Sequence, residues 1–172
     1  MYTMMRNTLC SIAVAMLAGC AQPSAPAKSG IRPDAASAVA AIRAAATQFD
    51  SSVEVQPLRD PAVEGWLRQA HEHEAQQRVP QALETLGRAL KLTPNAPDLL
   101  QYQAELLIEN GDWKAAAAAA QKSYDLGPKV GALCARNLQT LVEVRSALHD
   151  DAGAQQARQQ LSSCRVPAPA RF

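Results

Sequence analysis

The stretch of this sequence that most suggests chemistry is the run His71-Glu72-His73-Glu74. A zinc ion bound to one helix needs two histidines on the same face, as in the H-E-x-x-H spacing. His71 and His73 are two residues apart, so on a helix their side chains point about 200° away from each other. The spacing therefore predicts no metal site, and we expect both imidazoles to face solvent or a binding groove.

A pair of carboxylates is the second chemical signal. Glu105 and Glu109 lie one helical turn apart, but the pattern around them is that of an exposed helix. A glycoside hydrolase would need two acids in a cleft, and the sequence offers no aromatic platform for a sugar. His149 falls at a predicted turn, and there is no Ser/His/Asp set, Gly-rich phosphate loop or C-x-x-C motif. We therefore predict no catalytic residue, no metal and no enzymatic activity.

The amino terminus predicts export and lipidation. Arg6 precedes an apolar run over residues 8–18, which is too short to span a bilayer as a mature helix. The run ends in LAGC at residues 17–20, which resembles the lipobox of bacterial lipoproteins. The resemblance implies a signal peptide over residues 1–19 and a lipid on Cys20, with no other cofactor. The alternative is an ordinary secretory signal with an incidental cysteine.

The residues after Cys20 predict where the chain is held. By the same resemblance, alanine rather than aspartate at position 21 favours lipid anchoring at the outer membrane, facing the periplasm. Residues 20–33 are rich in Pro, Ala, Ser and Gly, which is typical of a flexible tether.

Two cysteines remain once Cys10 leaves with the signal peptide and Cys20 carries lipid. If the last helical hairpin turns at residues 149–151, its antiparallel helices bring Cys134 and Cys164 to the same height. In an oxidising compartment this placement predicts a disulfide. Two buried free thiols are the alternative.

Much of the chain follows a 34-residue repeat. Residues 63–94 and 97–128 both read as two short helices with a turn between them, and they align with matching small, large and helix-breaking positions. The aligned pairs are Ala70 with Ala104, Trp66 with Leu100, Ala82 with Ala116, Ala89 with Ser123, Leu92 with Leu126 and Pro94 with Pro128. Small side chains let helices pack closely, and proline stops a helix. This pattern resembles the tetratricopeptide repeat (TPR); the alternative is a chance spacing of two unrelated helix pairs.

The resemblance implies an all-α fold of TPR-like helical hairpins, an α-solenoid. A helix after the tether is expected to cover the exposed edge of the first repeat, because solenoid ends need caps. Asp112 is expected to cap the helix that follows it. The predicted segments are an N-terminal helix and extended crossover at 34–60, a TPR domain at 61–164 with repeats at about 63–96 and 97–130 and a degenerate C-terminal hairpin at 131–164, and a loose tail at 165–172.

A TPR domain implies binding on the concave face that the first helix of each pair lines. Carried over by repeat position, the partner-binding groove residues are Arg68, His71, Tyr102, Glu105, Arg136 and Gln139. A formal net charge of +1 argues against a nucleic-acid partner, which requires a basic face. We therefore predict a protein partner, with membrane contact through the lipid anchor.

The order of the segments is similar to one group of outer-membrane lipoproteins of proteobacteria. The lipobox is followed by a short tether, a crossover with Val53, Val55, Pro57 and Leu58, and a small TPR domain. This group includes the LpoP-type activators of penicillin-binding protein 1B. The resemblance implies a regulator that docks on a peptidoglycan synthase of the class A penicillin-binding type. The alternative is a pilotin-like assembly factor for a secretin, pilus or secretion system.

Overall fold

The computed structural model describes residues 34–49 and 58–165. The predicted signal peptide, Cys20 and the predicted tether lie outside the described residues, as do residues 50–57 of the predicted crossover and residues 166–172 of the predicted tail. Within the described ranges the elements are α1 (Ala35–Gln48), α2 (Pro61–Ala75), α3 (Val79–Leu92), α4 (Pro97–Glu109), α5 (Trp113–Leu126), α6 (Gly131–Ala147), α7 (Asp151–Leu161) and a 3-10 turn (Ser162–Cys164).

Local sequence explains where several helices begin. The side chain of Asp34 accepts a hydrogen bond from the Ser37 amide at 3.2 Å, which caps α1. Asp60 accepts from the Ala62 amide at 2.7 Å, and the next residue, Pro61, needs no amide donor at the first position of α2. Both helix starts agree with the sequence pattern.

The turn before α5 is built differently from the prediction. Asp112 occupies the N-cap position, but its side chain makes no capping bond. The carboxylate of Asp112 instead accepts a hydrogen bond from the side-chain nitrogen Nδ2 of Asn110 at 2.6 Å. Gly111 between them has φ of +85°, a left-handed conformation that glycine adopts without a steric penalty. The turn is therefore formed by glycine geometry and an Asn–Asp side-chain pair.

The chain forms three helical hairpins, α2–α3, α4–α5 and α6–α7, which pack in sequence order. The small residues that the repeat aligns are all fully buried where the helices meet: Ala70, Ala82, Ala89, Ala104, Ala116 and Ser123. They allow the close helix packing that the sequence predicts. Helix α6 has 17 residues against 13 in α4, about one extra turn. The described fold is TPR-like and all-α, as predicted.

The position of α1 differs from the prediction. It packs mainly on α6 and secondarily on α4, whereas we expected it to cover the exposed edge of the first repeat. Its buried side chains, which include Val39, Ile42 and Phe49, join a hydrophobic cluster with residues of α4, α5 and α6. Shape explains the difference, because α4 and α6 present an apolar concave surface that the stripe of α1 fills.

In residues 34–49 and 58–165, no helix is both long and apolar enough to cross a membrane.

Candidate interaction surface

The concave face of the hairpins is lined by α2, α4 and α6, the first helix of each pair. The six residues predicted to line a binding groove all lie on these helices, but they differ in accessibility. Arg68 and His71 on α2 are exposed, Tyr102 and Glu105 on α4 are buried, and Arg136 and Gln139 on α6 are partly buried. The groove is therefore open beside α2 and covered by α1 beside α4 and α6.

Glu105 is the centre of a polar cluster under α1. Its side chain is fully buried, so the expectation of an exposed helix carrying two glutamates was wrong for this residue. One carboxylate oxygen, Oε1, accepts from Gln101 at 3.0 Å and from Nε of Arg136 at 2.9 Å. The other, Oε2, accepts from Nε of Arg43 at 3.0 Å. A buried carboxylate needs such partners, since an unpaired buried charge is strongly destabilising.

Arg43 joins this centre to α2. Its guanidinium bonds to Glu105 on α4 and also to Glu74 on α2. Burial alone would lower the pKa of Arg43, but the hydrogen bonds to the two carboxylates outweigh it and raise the pKa above its ordinary value. The arginine therefore remains charged and ties α1 to the first and second hairpins. We refer to Arg43, Glu74, Glu105 and Arg136 as the ion-pair cluster.

The neighbours of Glu74 stabilise the ionised form of its carboxyl group. Burial alone would raise its pKa, but contacts with His71, Arg43 and Tyr102 lower the pKa to about 2. The Tyr102 hydroxyl donates to Glu74 at 2.8 Å, and burial together with this donation raises the pKa of Tyr102. Glu74 is thus a fixed negative charge on the wall of the concave face.

Glu109, one turn after Glu105, has the opposite environment. Burial first, and then the negative charge of Glu74, raises the pKa of its carboxyl. Arg43 opposes this shift without cancelling it. The two glutamates that look alike in the sequence therefore differ. Glu105 accepts hydrogen bonds from two arginines, whereas the surroundings of Glu109 disfavour its ionised form.

The histidine run is split between two environments, as its spacing predicts. His71 stacks on Tyr102 with ring centroids 4.3 Å apart, and its Nδ1 lies 3.5 Å from Glu74. The buried Nδ1 of His73 makes no hydrogen bond within the described part of the chain. Across the same residues there is no group of three or more His, Cys, Asp or Glu side chains that could hold a metal ion.

A cleft of about 630 Å³ lies between α1 and the end of the first hairpin. It is the part of the concave face that α1 leaves open, and its walls carry both charges with an excess of carboxylates. It is lined by Asp34, Ala35, Ala36, Arg43, His71, Glu74, Ala75, Gln77, Val79 and Glu109. An opening of this size can admit side chains of a partner segment.

The last hairpin is closed by a covalent bond. Cys134 at the start of α6 and Cys164 in the 3-10 turn form a disulfide, with Cα atoms 5.6 Å apart and a sequence separation of 30. Both cysteines are fully buried in the cluster that also receives α1. The bond therefore fixes the helix on which α1 lies.

Sequence reasoning missed Arg43, Glu74, Gln101 and Thr140 as members of the surface. Gln101 is fully buried and bridges Glu105 to the Thr140 hydroxyl, to which it donates at 2.7 Å. One signal was available for Arg43, since it is the single charged residue within the alanine-rich α1. No comparable signal distinguished Gln101 or Thr140, because their partners come from distant parts of the chain.

The chain was compared with protein-family models, curated proteins and solved structures. No protein-family model matches the chain, and no curated protein matches it by sequence. Among solved structures, the globular C-terminal domain of P. aeruginosa LpoP matches with a TM-score of 0.56 and 26% sequence identity. The match covers 61% of this chain and 99% of that one. This chain is therefore similar in fold and in part of its sequence to that LpoP domain.

The LpoP-like relationship confirms the resemblance that the sequence suggested. It also agrees with the TPR-like all-α fold, since all the elements of the described residues are helical.

Proposed function

We propose that this chain is an outer-membrane lipoprotein, lipidated at Cys20, that regulates a peptidoglycan synthase of the class A penicillin-binding type. The observation that carries the proposal is the likeness of its hairpins to the C-terminal domain of LpoP. The lipobox at residues 17–20 supports the anchoring, and the disulfide supports an oxidising compartment. In this proposal the chain acts by binding a protein and carries out no reaction itself.

The cleft beside α2 is the surface that we propose for docking on the synthase. It combines open volume with fixed charges, because Glu74 is held ionised and His71 beside it is exposed. Its carboxylates favour a partner segment that carries arginine or lysine, whose charged groups pair well with carboxylates. Alanines at the edge of α1 leave room for that segment to approach.

The test measures synthase activity directly. The mature lipidated chain is added in detergent to a purified class A penicillin-binding protein from the same bacterium, and glycan polymerisation and cross-linking are followed. We expect a saturable rise in both rates. No change in either rate would contradict the proposed function.

A matched pair of variants tests the cleft separately. Ala36 and Ala44 are both exposed on α1, but only Ala36 lines the cleft. Ala36→Trp fills the opening and should weaken the apparent affinity for the synthase at least tenfold, whereas Ala44→Trp should leave it unchanged. Equal activation by both variants would remove the cleft from the proposal and leave the regulatory function standing.

A further inference from the structure

The covered half of the concave face already has an occupant, and that occupant is a segment of the same chain. In a stack of paired helices, the first helices line the face on which partners bind. Helix α1 lies on two of them, α6 and α4, and packs there through Ala38, Val39 and Ile42. The hairpins contact one another directly, α3 on α4 and α5 on α6, through contacts that α1 does not make. The hairpins would therefore remain in contact with one another if α1 were displaced.

We infer that this face is a helix-binding surface and that α1 is its exchangeable occupant. The partner that fits is an amphipathic, alanine-rich helix with branched or aromatic side chains on one stripe and an arginine beside that stripe. Such a helix would take the place of α1 on α4 and α6.

The polar groups beneath α1 support exchange. When Arg43 leaves, Oε1 of Glu105 keeps its hydrogen bonds from Gln101 and Arg136. Only Oε2 loses its partner. Glu74 likewise keeps the hydroxyl of Tyr102 and the nearby imidazole of His71. The hairpins therefore hold most of the cluster together by themselves, and one incoming guanidinium completes it.

The composition of α1 supports exchange as well. Eight of its fourteen residues are alanine, which forms helices readily without tertiary contacts. Its buried side chains are three large ones, Val39, Ile42 and Phe49, and two alanines, Ala38 and Ala45. The covalent connection of α1 to the hairpins keeps its local concentration at the surface high, so α1 stays bound without needing the affinity of a separate partner. A partner helix with a stronger stripe can therefore displace α1.

The test uses a peptide as the probe partner. A fluorescent, end-capped peptide of residues 34–49 is added to the full mature chain in detergent. In wild type its own α1 occupies the surface, whereas Ile42→Asp places a charge in a fully buried position and releases α1. We expect the peptide to bind the Ile42→Asp chain at least tenfold more tightly than wild type. The control Ala40→Asp, at an exposed position of the same helix, should behave as wild type.

Two further measurements make the result decisive. A peptide with Arg43→Gln should bind the Ile42→Asp chain at least tenfold more weakly, because it cannot pair with Glu105 and Glu74. If the Ile42→Asp chain shows no cooperative urea transition, the Arg43→Ala chain is used in its place. The Arg43 side chain is 45% exposed, so its removal leaves the apolar core intact. Equal peptide binding to wild type and to the folded variant would overturn the inference.

Hydrogen exchange tests the same point in the unaltered chain. Helices α1 and α5 both have 14 residues, and exchangeable packing predicts that α1 amides exchange at least tenfold faster than those of α5. The free peptide, added in excess, should increase exchange in α1 further. Equal protection of α1 and α5 would show that α1 is a permanent part of the fold.

Discussion

Replacing Glu105 with glutamine removes the charge at the centre of the ion-pair cluster while keeping the shape of the side chain. The carboxylate accepts hydrogen bonds from Arg43, Arg136 and Gln101, and none of its surface is exposed. Breaking a buried ion pair from one side costs about 3–5 kcal/mol. Both arginines keep some contact with water, and Arg43 keeps Glu74, so we expect a loss near the lower limit, about 3 kcal/mol.

Urea unfolding measures this loss at pH 7. With a slope of about 1.5 kcal/mol per M, typical of a small domain, the midpoint should fall by about 2 M. The matched control is Glu109→Gln on the same helix, one turn away. Its raised pKa means that the ionised form is disfavoured in the folded state at neutral pH. The neutral side chain should therefore raise the midpoint at pH 7, and this gain should vanish below the ordinary pKa of glutamate.

The two variants are expected to shift the urea midpoint in opposite directions, so together they test the distinction between Glu105 and Glu109. A Glu105→Gln midpoint close to that of wild type would show that the cluster contributes little to folding. A Glu109→Gln midpoint that falls as far as that of Glu105→Gln would show that our distinction between the two carboxylates is wrong.

Three further predictions concern other parts of the domain. The folded-state pKa of Glu74 is lowered to about 2. Ionised Glu74 therefore contributes about 1–2 kcal/mol to folding stability, after allowance for solvent screening, and this contribution is present above the ordinary pKa and lost as pH falls towards 2. Glu74→Gln should make the urea midpoint less dependent on pH between pH 5 and 2, and an acid profile like that of wild type would contradict this. Replacing Cys134 and Cys164 together with alanine removes a cross-link with a sequence separation of 30 and should lower the free energy of unfolding by about 3–4 kcal/mol. Free thiols at Cys134 and Cys164 in the unreduced chain, located by alkylation and mass spectrometry, would disprove the bond. Gly87→Ala lies within α3 with open space around the added methyl group and should stabilise the domain by about 0.5–1 kcal/mol. Gly127→Ala should destabilise the domain, because its methyl group would lie 2.8 Å from the Ser123 carbonyl oxygen. Thermal unfolding should therefore show a higher midpoint for the first variant and a lower midpoint for the second.

The hairpins could be predicted from the sequence because their information is local. Alanine and serine at equivalent positions, with Pro94 and Pro128 after the second helices, set both the helix bounds and the packing faces. Asp60 and Asp34 marked helix starts in the same way. These signals depend on a few neighbouring residues, so a single sequence is enough to interpret them.

The concave face could not be predicted to the same extent because it depends on which helix fills it. The sequence showed that α1 is amphipathic, but an apolar stripe does not specify which surface it will meet. The burial of Glu105 follows from that choice, since Arg43 comes from 62 positions earlier in the chain. The groove residues were placed on the correct helices, and their accessibility was decided by a contact between distant segments.

The placement of α1 also has a consequence for the order of folding. Synthesis makes α1 before any other described helix, yet the surface that receives it is centred on α6, near the opposite end of the chain. Contacts between such distant segments form slowly, because a long loop must close first. Among the described helices α1 is therefore made first, whereas most of the surface that buries its apolar stripe is complete only once α6 has been made.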